Sequence, residues 1–242
     1  MKLEKKTVLI TGANRGIGLG LVNEAIRRGA SRVYAGTRGS MPITDERVTP
    51  LALEVTSVKQ IQQAAREIDR LDVLINNAGI AIYDDLSDLE VTERHLAVNF
   101  LGPLRMTQAF LPLLKRSKGA IINNLSMVGI AALPLIPSYS ISKAAALNMT
   151  QSLRAILASS GVTVHSVVLG PVDTDMNRGF EIPKASTEVA ARGIFDGLEQ
   201  GEEYIFPDPA SKSIAEGWRG GVAMALEEQF KTFLPEGAAV AA

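Results

Sequence analysis

The chain has 242 residues, 46% hydrophobic and 21% charged, a mix that suits one large folded domain and excludes wholesale disorder. Lys and Arg total 25 against 26 Asp and Glu, a net charge of -1 without the basic excess of a general nucleic-acid binder. Cysteine is absent, which rules out a disulfide framework, a thiolate metal site and a cysteine nucleophile.

The opening Met1-Lys2-Leu3-Glu4-Lys5-Lys6 starts no signal-peptide pattern, because Gly12, Asn14 and Arg15 soon interrupt the apolar stretch. No run approaches a membrane span, so a cytoplasmic protein without membrane contact is the expectation. Thr7–Thr11 reads as a buried strand, followed by a glycine-rich turn. Ile17, Leu21, Val22, Ala25 and Ile26 then recur at helical spacing up to Gly29, a natural helix stop. Strands are expected at 32–36 and 49–54, joined by a loop at 38–48 where a crossover helix would normally lie. A helix over 57–69, a strand over 71–76 and a long helix over 92–116 follow, the last bent near Gly102-Pro103. Further strands are predicted at 120–125, 162–169 and 204–206, with helices at 138–159 and 187–199. Residues 210–233 read as mostly helical and 237–242 as a loose tail. Alternating strands and helices predict one α/β domain, a doubly wound parallel sheet with helices on both faces.

Several segments carry chemistry. Thr11-Gly12-Ala13-Asn14-Arg15-Gly16-Ile17-Gly18 lies between a predicted strand and a predicted helix. Glycines there permit a tight turn, and the helix N-terminus offers free amides to a pyrophosphate; a turn that only packs helix on strand is the plainer alternative. Asn76-Asn77-Ala78-Gly79 ends the fourth strand, and Asn99 sits in the long helix. Ser126 follows the fifth strand, and Tyr139 and Lys143 share one helical face four residues apart. Gly170, Val172 and Thr174 follow the sixth strand. A phenol near pKa 10 is a poor acid-base group at neutral pH unless a cation such as Lys143 favours the phenolate. Taken alone, the pair could equally be a core tyrosine with a solvated lysine. His95 and His165, the only histidines, stand without metal-ligand spacing and are expected to be structural; no metal is expected.

The glycine offsets and these motifs, in this order over residues 6–206, resemble the short-chain dehydrogenase/reductase family. The resemblance implies a Rossmann-type sheet of about seven strands and an oxidoreductase with Tyr139 as acid/base. Ser126 would hydrogen-bond the substrate oxygen, Lys143 would also bind the nicotinamide ribose, and Asn99 would hold a water of a proton relay. Gly12, Asn14, Arg15, Gly16, Ile17, Gly18, Val55, Asn77, Ala78, Gly79, Gly170, Val172 and Thr174 would line the cofactor with Tyr139 and Lys143. Glu54 stands where the family usually has the aspartate that meets the adenine amine, and Leu169 replaces a usual proline. No acid ends the second strand at Gly36-Thr37-Arg38, so NADP(H) is the expected cofactor, with Arg15 and Arg38 flanking the 2′-phosphate. Both arginines could instead be ordinary solvated side chains.

Met127, Val128, Ile130, Leu133, Leu135 and Ile136 lie between Ser126 and Tyr139, with Met176 and Phe180 beyond Thr174. They predict an apolar pocket for a hydrophobic ketone, aldehyde or secondary alcohol. The resemblance also implies a homodimer or homotetramer, paired through the helices at 92–116 and 138–159. The competing readings are an NADP-binding sensor without chemistry, and an enzyme of the same family acting on C=N bonds.

Overall fold

The computed structural model describes residues 1–233; the tail expected at 237–242 lies outside the described residues. Seven strands pair in parallel: β1 (Thr7–Thr11), β2 (Arg32–Thr37), β3 (Val48–Ala52), β4 (Val73–Asn76), β5 (Ala120–Asn124), β6 (Thr163–Val167) and β7 (Tyr204–Ile205). Their order is β3-β2-β1-β4-β5-β6-β7. Successive strand residues serve opposite faces. Val8, Ile10, Val73, Ile75 and Ile122 pack under α1 (Gly16–Arg27) and α6 (Thr187–Gln200). Leu9, Leu74, Ile121 and Val164 face α2 (Val58–Glu67), α4 (Gly102–Ser117) and the end of α5 (Pro137–Leu157). Cover on both faces explains why β1 is one unbroken apolar run rather than an alternating one.

No helix joins β2 to β3, as the glycine and proline in that loop predicted. Strand ends differ by one or two residues from the sequence expectation, for instance at β3 and β6. The helix expected over 92–116 begins earlier and is divided. Asp88 caps α3 (Leu89–Leu96), accepting the Glu90 amide at 2.9 Å. A π-helical turn, Ala97–Leu101, then leads into α4. The irregularity therefore lies before Gly102-Pro103. Pro103 follows directly in the first turn of α4, in a helix that runs on from the π turn, so the irregularity adjoins the expected site. Residues 210–233 likewise divide into α7 (Pro209–Arg219) and α8 (Val222–Lys231), parted at Gly220-Gly221. No helix among the described residues is long and apolar enough to cross a membrane.

Buried charge pins α8 to α5. Arg154 donates to the Val164 carbonyl, to Ser166 Oγ and to the Glu203 carbonyl, each at 2.9 Å. Its guanidinium lies 4.6 Å from the Tyr204 ring centre and pairs with Glu227, which also accepts from the Tyr204 hydroxyl. A buried ion pair adds little over an apolar substitute, but removing one partner strands the other charge. Arg154→Met is therefore expected to lower the unfolding free energy by about 3–5 kcal/mol, read from urea unfolding. A loss below about 1 kcal/mol would mean that Glu227 simply reaches water.

Candidate active site

Strand order reverses between β1 and β4, so the segments leaving their C-terminal ends part to opposite faces and open a crevice. The glycine turn fills it. Gly12 and Gly16 take φ of +65° and +52°, and a Cβ on Gly18 would lie 2.0 Å from the Gly12 carbonyl oxygen. Side chains are excluded at these three glycine positions for that reason. Arg15 precedes α1 without a side-chain cap, leaving the first amides of that helix free. Ile17 packs against the core rather than into the turn. A Cβ on Gly16 would meet the Thr174 methyl at 3.2 Å, so the segment after β6 closes against the glycine turn.

Asparagines join this turn to the neighbouring strands. Thr11 Oγ1 accepts the Asn77 and Ala78 amides at 2.9 and 3.0 Å. Asn77 Nδ2 donates to the carbonyls of Thr11 and Gly12 at 2.9 and 3.3 Å, and its Oδ1 accepts from Asn124 Nδ2 at 2.9 Å. The Asn124 carbonyl in turn accepts from Lys143 Nζ at 2.7 Å. Asn124 Oδ1 is buried with no hydrogen-bond partner. Gly79 lies close by, where a Cβ would come 3.2 Å from Asn99 Oδ1 and 3.9 Å from Lys143 Nζ.

Ser126 leaves β5 and heads a short 3₁₀ turn, Met127–Gly129, its Oγ accepting the Val128 amide at 3.3 Å. Tyr139 lies in the first turn of α5 and Lys143 one turn further on. Ser126 lies near enough to the Tyr139 hydroxyl to pull its pKa down. Although the ring is only partly covered, its hydroxyl end is enclosed; burial pushes the phenol up to about 12, against the opposing pull of Ser126. Burial also pushes Lys143 down to about 8. Its ammonium stands 5.5 Å from the Tyr139 ring centre. In the protein by itself, desolvation outweighs the pull of Ser126, and Tyr139 keeps its proton. Asn99, in the π-helical turn, grips residue 80 from both sides. Its Oδ1 accepts the Ile80 amide and its Nδ2 donates to the Ile80 carbonyl and to Ser142 Oγ, all at 2.9 Å. Both amide hydrogens are therefore committed, and one lone pair of Oδ1 remains.

The two arginines expected around a phosphate are engaged elsewhere. Arg15 meets Asp175 at 3.4 Å and Arg38 meets Glu54 at 3.2 Å, both at the surface. Glu54 therefore faces a guanidinium, and the Val55 side chain is buried against Gly102. Asn14 lies beside Gly39 on the loop after β2. Val172 is buried and bridges to Ala185. Leu169 fits the core where a proline was expected, and the next residue is fixed by other means: the Gly170 amide donates to Asp208 at 2.9 Å.

The sequence reading missed the role of residues 80–84. Ile80 is held by Asn99, the Ile82 amide donates to His95 Nε2 at 3.0 Å, and Asp84 accepts from the Ser138 hydroxyl and, at 3.4 Å, its amide. His95 Nδ1 bonds to the Val91 carbonyl at 2.7 Å, so its role is structural as expected. The only signal in the sequence was the order Ile80, Ile82, Asp84 at alternate positions.

The sequence profile of the short chain dehydrogenase family matches residues 6–184. The chain is a short-chain dehydrogenase/reductase. It is 39% identical over 215 residues to the short-chain dehydrogenase ptmH of Penicillium ochrochloron, covering 83% of this chain and 79% of that protein. Among solved structures, a short-chain dehydrogenase from Burkholderia cenocepacia J2315 in complex with NADP superposes with a TM-score of 0.87 at 38% identity. That match covers 97% of this chain and 100% of the other. An NADPH-bound carbonyl reductase from chicken fatty liver gives a TM-score of 0.73 at 30% identity, over 81% and 92% of the two chains. In this short-chain dehydrogenase/reductase, the free amides of α1, the glycine turn and the orphaned Asn124 oxygen fit a dinucleotide along the C-terminal edge of the sheet.

Proposed function

We propose that this short-chain dehydrogenase/reductase transfers hydride between NADP(H) and a hydrophobic ketone or aldehyde, or in reverse on a secondary alcohol. The observation that carries the reading is the Tyr139 hydroxyl facing Ser126, one helical turn from the buried Lys143, beside the glycine turn. NADP(H), when bound, supplies or accepts the hydride. Tyr139, which burial keeps protonated, gives its proton to the carbonyl oxygen. Ser126 donates a hydrogen bond to that oxygen as charge builds on it. Lys143 holds the nicotinamide ribose, and its ammonium steadies the phenolate left on Tyr139. Asn99 holds the relay water through the free lone pair of Oδ1.

NADP(H) rather than NAD(H) is supported by the lack of an acid at the end of β2 and by the NADP-type complexes of the similar structures. The pairs Arg15–Asp175 and Arg38–Glu54 are exposed and worth at most about 1 kcal/mol each, so a 2′-phosphate can recruit both guanidiniums. Exposed Ile130, Leu135 and Met176 near the site support an apolar substrate. A homodimer or homotetramer through α4 and α5, in the cytoplasm, belongs to the same reading.

NADPH consumption with a panel of aryl and alkyl ketones and aldehydes tests it. Tyr139→Phe is expected to lower turnover about 10²- to 10⁴-fold while NADPH still binds; turnover that survives would assign the acid elsewhere. Lys143 is charged below its pKa of about 8, so kcat/KM for reduction should be level in mild acid. It should then fall as pH rises through about 8, or somewhat above once phosphates are bound. A level profile through this range would remove Lys143 charge from the mechanism. Arg38→Ala is expected to weaken NADPH binding about tenfold, the worth of one charge-assisted hydrogen bond, with NADH binding unaltered. Equal effects on both cofactors would refute the phosphate contact.

A further inference from the structure

Two aromatic side chains meet at the mouth of the site from loops that the sequence places far apart. The Tyr83 and Phe180 rings lie 5.8 Å apart between centres and 18° from parallel, a stacked pair. Tyr83 is 61% exposed, on the stretch whose flanking residues point inward. Ile82 is bonded to His95, whose ring meets the Tyr139 ring edge-on at 6.3 Å. Asp84 is bonded to Ser138, the residue next to Tyr139. Anchors on both sides thus tie the stretch that carries Tyr83 to α3 and to the first turn of α5, which bears Tyr139, and leave the Tyr83 ring exposed.

Phe180 stands on a different footing. It follows Gly179, whose φ is +88° and around which nothing lies within 4 Å of a Cβ position. A glycine in that conformation with free space about it lets the following residue swing. The flanking Met176 and Ile182 are 43% and 47% exposed. One ring is held and its partner sits on a hinge.

We propose that Tyr83 and Phe180 form an aromatic clamp that selects carbonyl substrates bearing a flat apolar ring. The inference rests on the carbonyl chemistry proposed for Tyr139. A planar substrate ring lies between the two once Phe180 withdraws by about 3.5 Å, the contact distance of stacked carbons. A linear alkyl chain touches the same faces but lacks the quadrupole match of a stacked ring.

The test compares kcat/KM for acetophenone and 2-octanone, ketones of equal carbon number, with NADPH as reductant. It adds the Kd of fluorescent 2-acetylnaphthalene for the protein with NADP⁺. Tyr83→Ala is expected to lower the acetophenone/2-octanone ratio about 3- to 10-fold and raise that Kd by a similar factor; Tyr83→Phe should restore both. Phe180→Ala should move the ratio in the same direction. Where the ketones turn over, a ratio unmoved by Tyr83→Ala ends the clamp and leaves the oxidoreductase reading standing. If neither ketone turns over, the Kd decides: Tyr83-dependent binding keeps the ring-binding clamp and leaves the chemistry to the wider panel, and Tyr83-independent binding ends the clamp. Urea midpoints of the variants, expected to match the parent because Tyr83 is exposed, separate these outcomes from misfolding.

Discussion

A relay of side-chain amides crosses the C-terminal edge of the sheet, from the glycine turn to the lysine of α5. Asn77 holds the carbonyls of Thr11 and Gly12, Asn124 holds Asn77, and Lys143 holds the Asn124 carbonyl. Parallel strands deliver their ends to one edge, but the turn after β1 leaves the ladder at a positive φ and strands its carbonyls. An unpaired buried carbonyl costs about 1–3 kcal/mol, so an amide side chain at 77 answers a need the turn creates. The glycine turn cannot shift without disturbing Asn77, and through Asn124 the disturbance reaches Lys143. Cofactor cradle and proton-handling group are in this sense one hydrogen-bonded object.

One physical condition sets both ionisations at the centre. Enclosure raises the phenol and lowers the ammonium because each charged form loses water. The protein by itself therefore keeps Tyr139 protonated, and Lys143 gives up its charge only as pH rises through about 8. The orphaned Asn124 oxygen adds a buried acceptor without a donor to the same edge of the sheet.

Much of this was legible in the sequence where the cause is local. The glycine turn follows from backbone freedom, and Tyr139 and Lys143 share a face because a helix repeats nearly every four residues. The missing helix between β2 and β3 followed from Gly39 and Pro42. What could not be read depends on contacts made across the fold. The π-helical turn around Asn99 answers to the shape of residue 80, and Asp175 and Glu54 meet their arginines only through tertiary folding. The direction of the Tyr139 shift is of the same kind, since spacing reports the nearby cation but not how much water is lost. The division at Gly220-Gly221 was visible as a glycine pair, yet the polarity of both sides reads as helix until the chain is folded.

The pairing of Arg154 with Glu227 also bears on the order in which the molecule is made. The two residues are 73 positions apart, and the helix that carries Arg154 is the helix that carries Tyr139 and Lys143. During synthesis the nascent chain can lay down the glycine turn, all seven strands and all of α5 before Glu227 exists. Until then, a guanidinium destined for a dry site keeps its water, and the far end of α5 stays unsettled. The far end of the helix that bears the site is thus completed only after α8 has emerged, a late event on the ribosome.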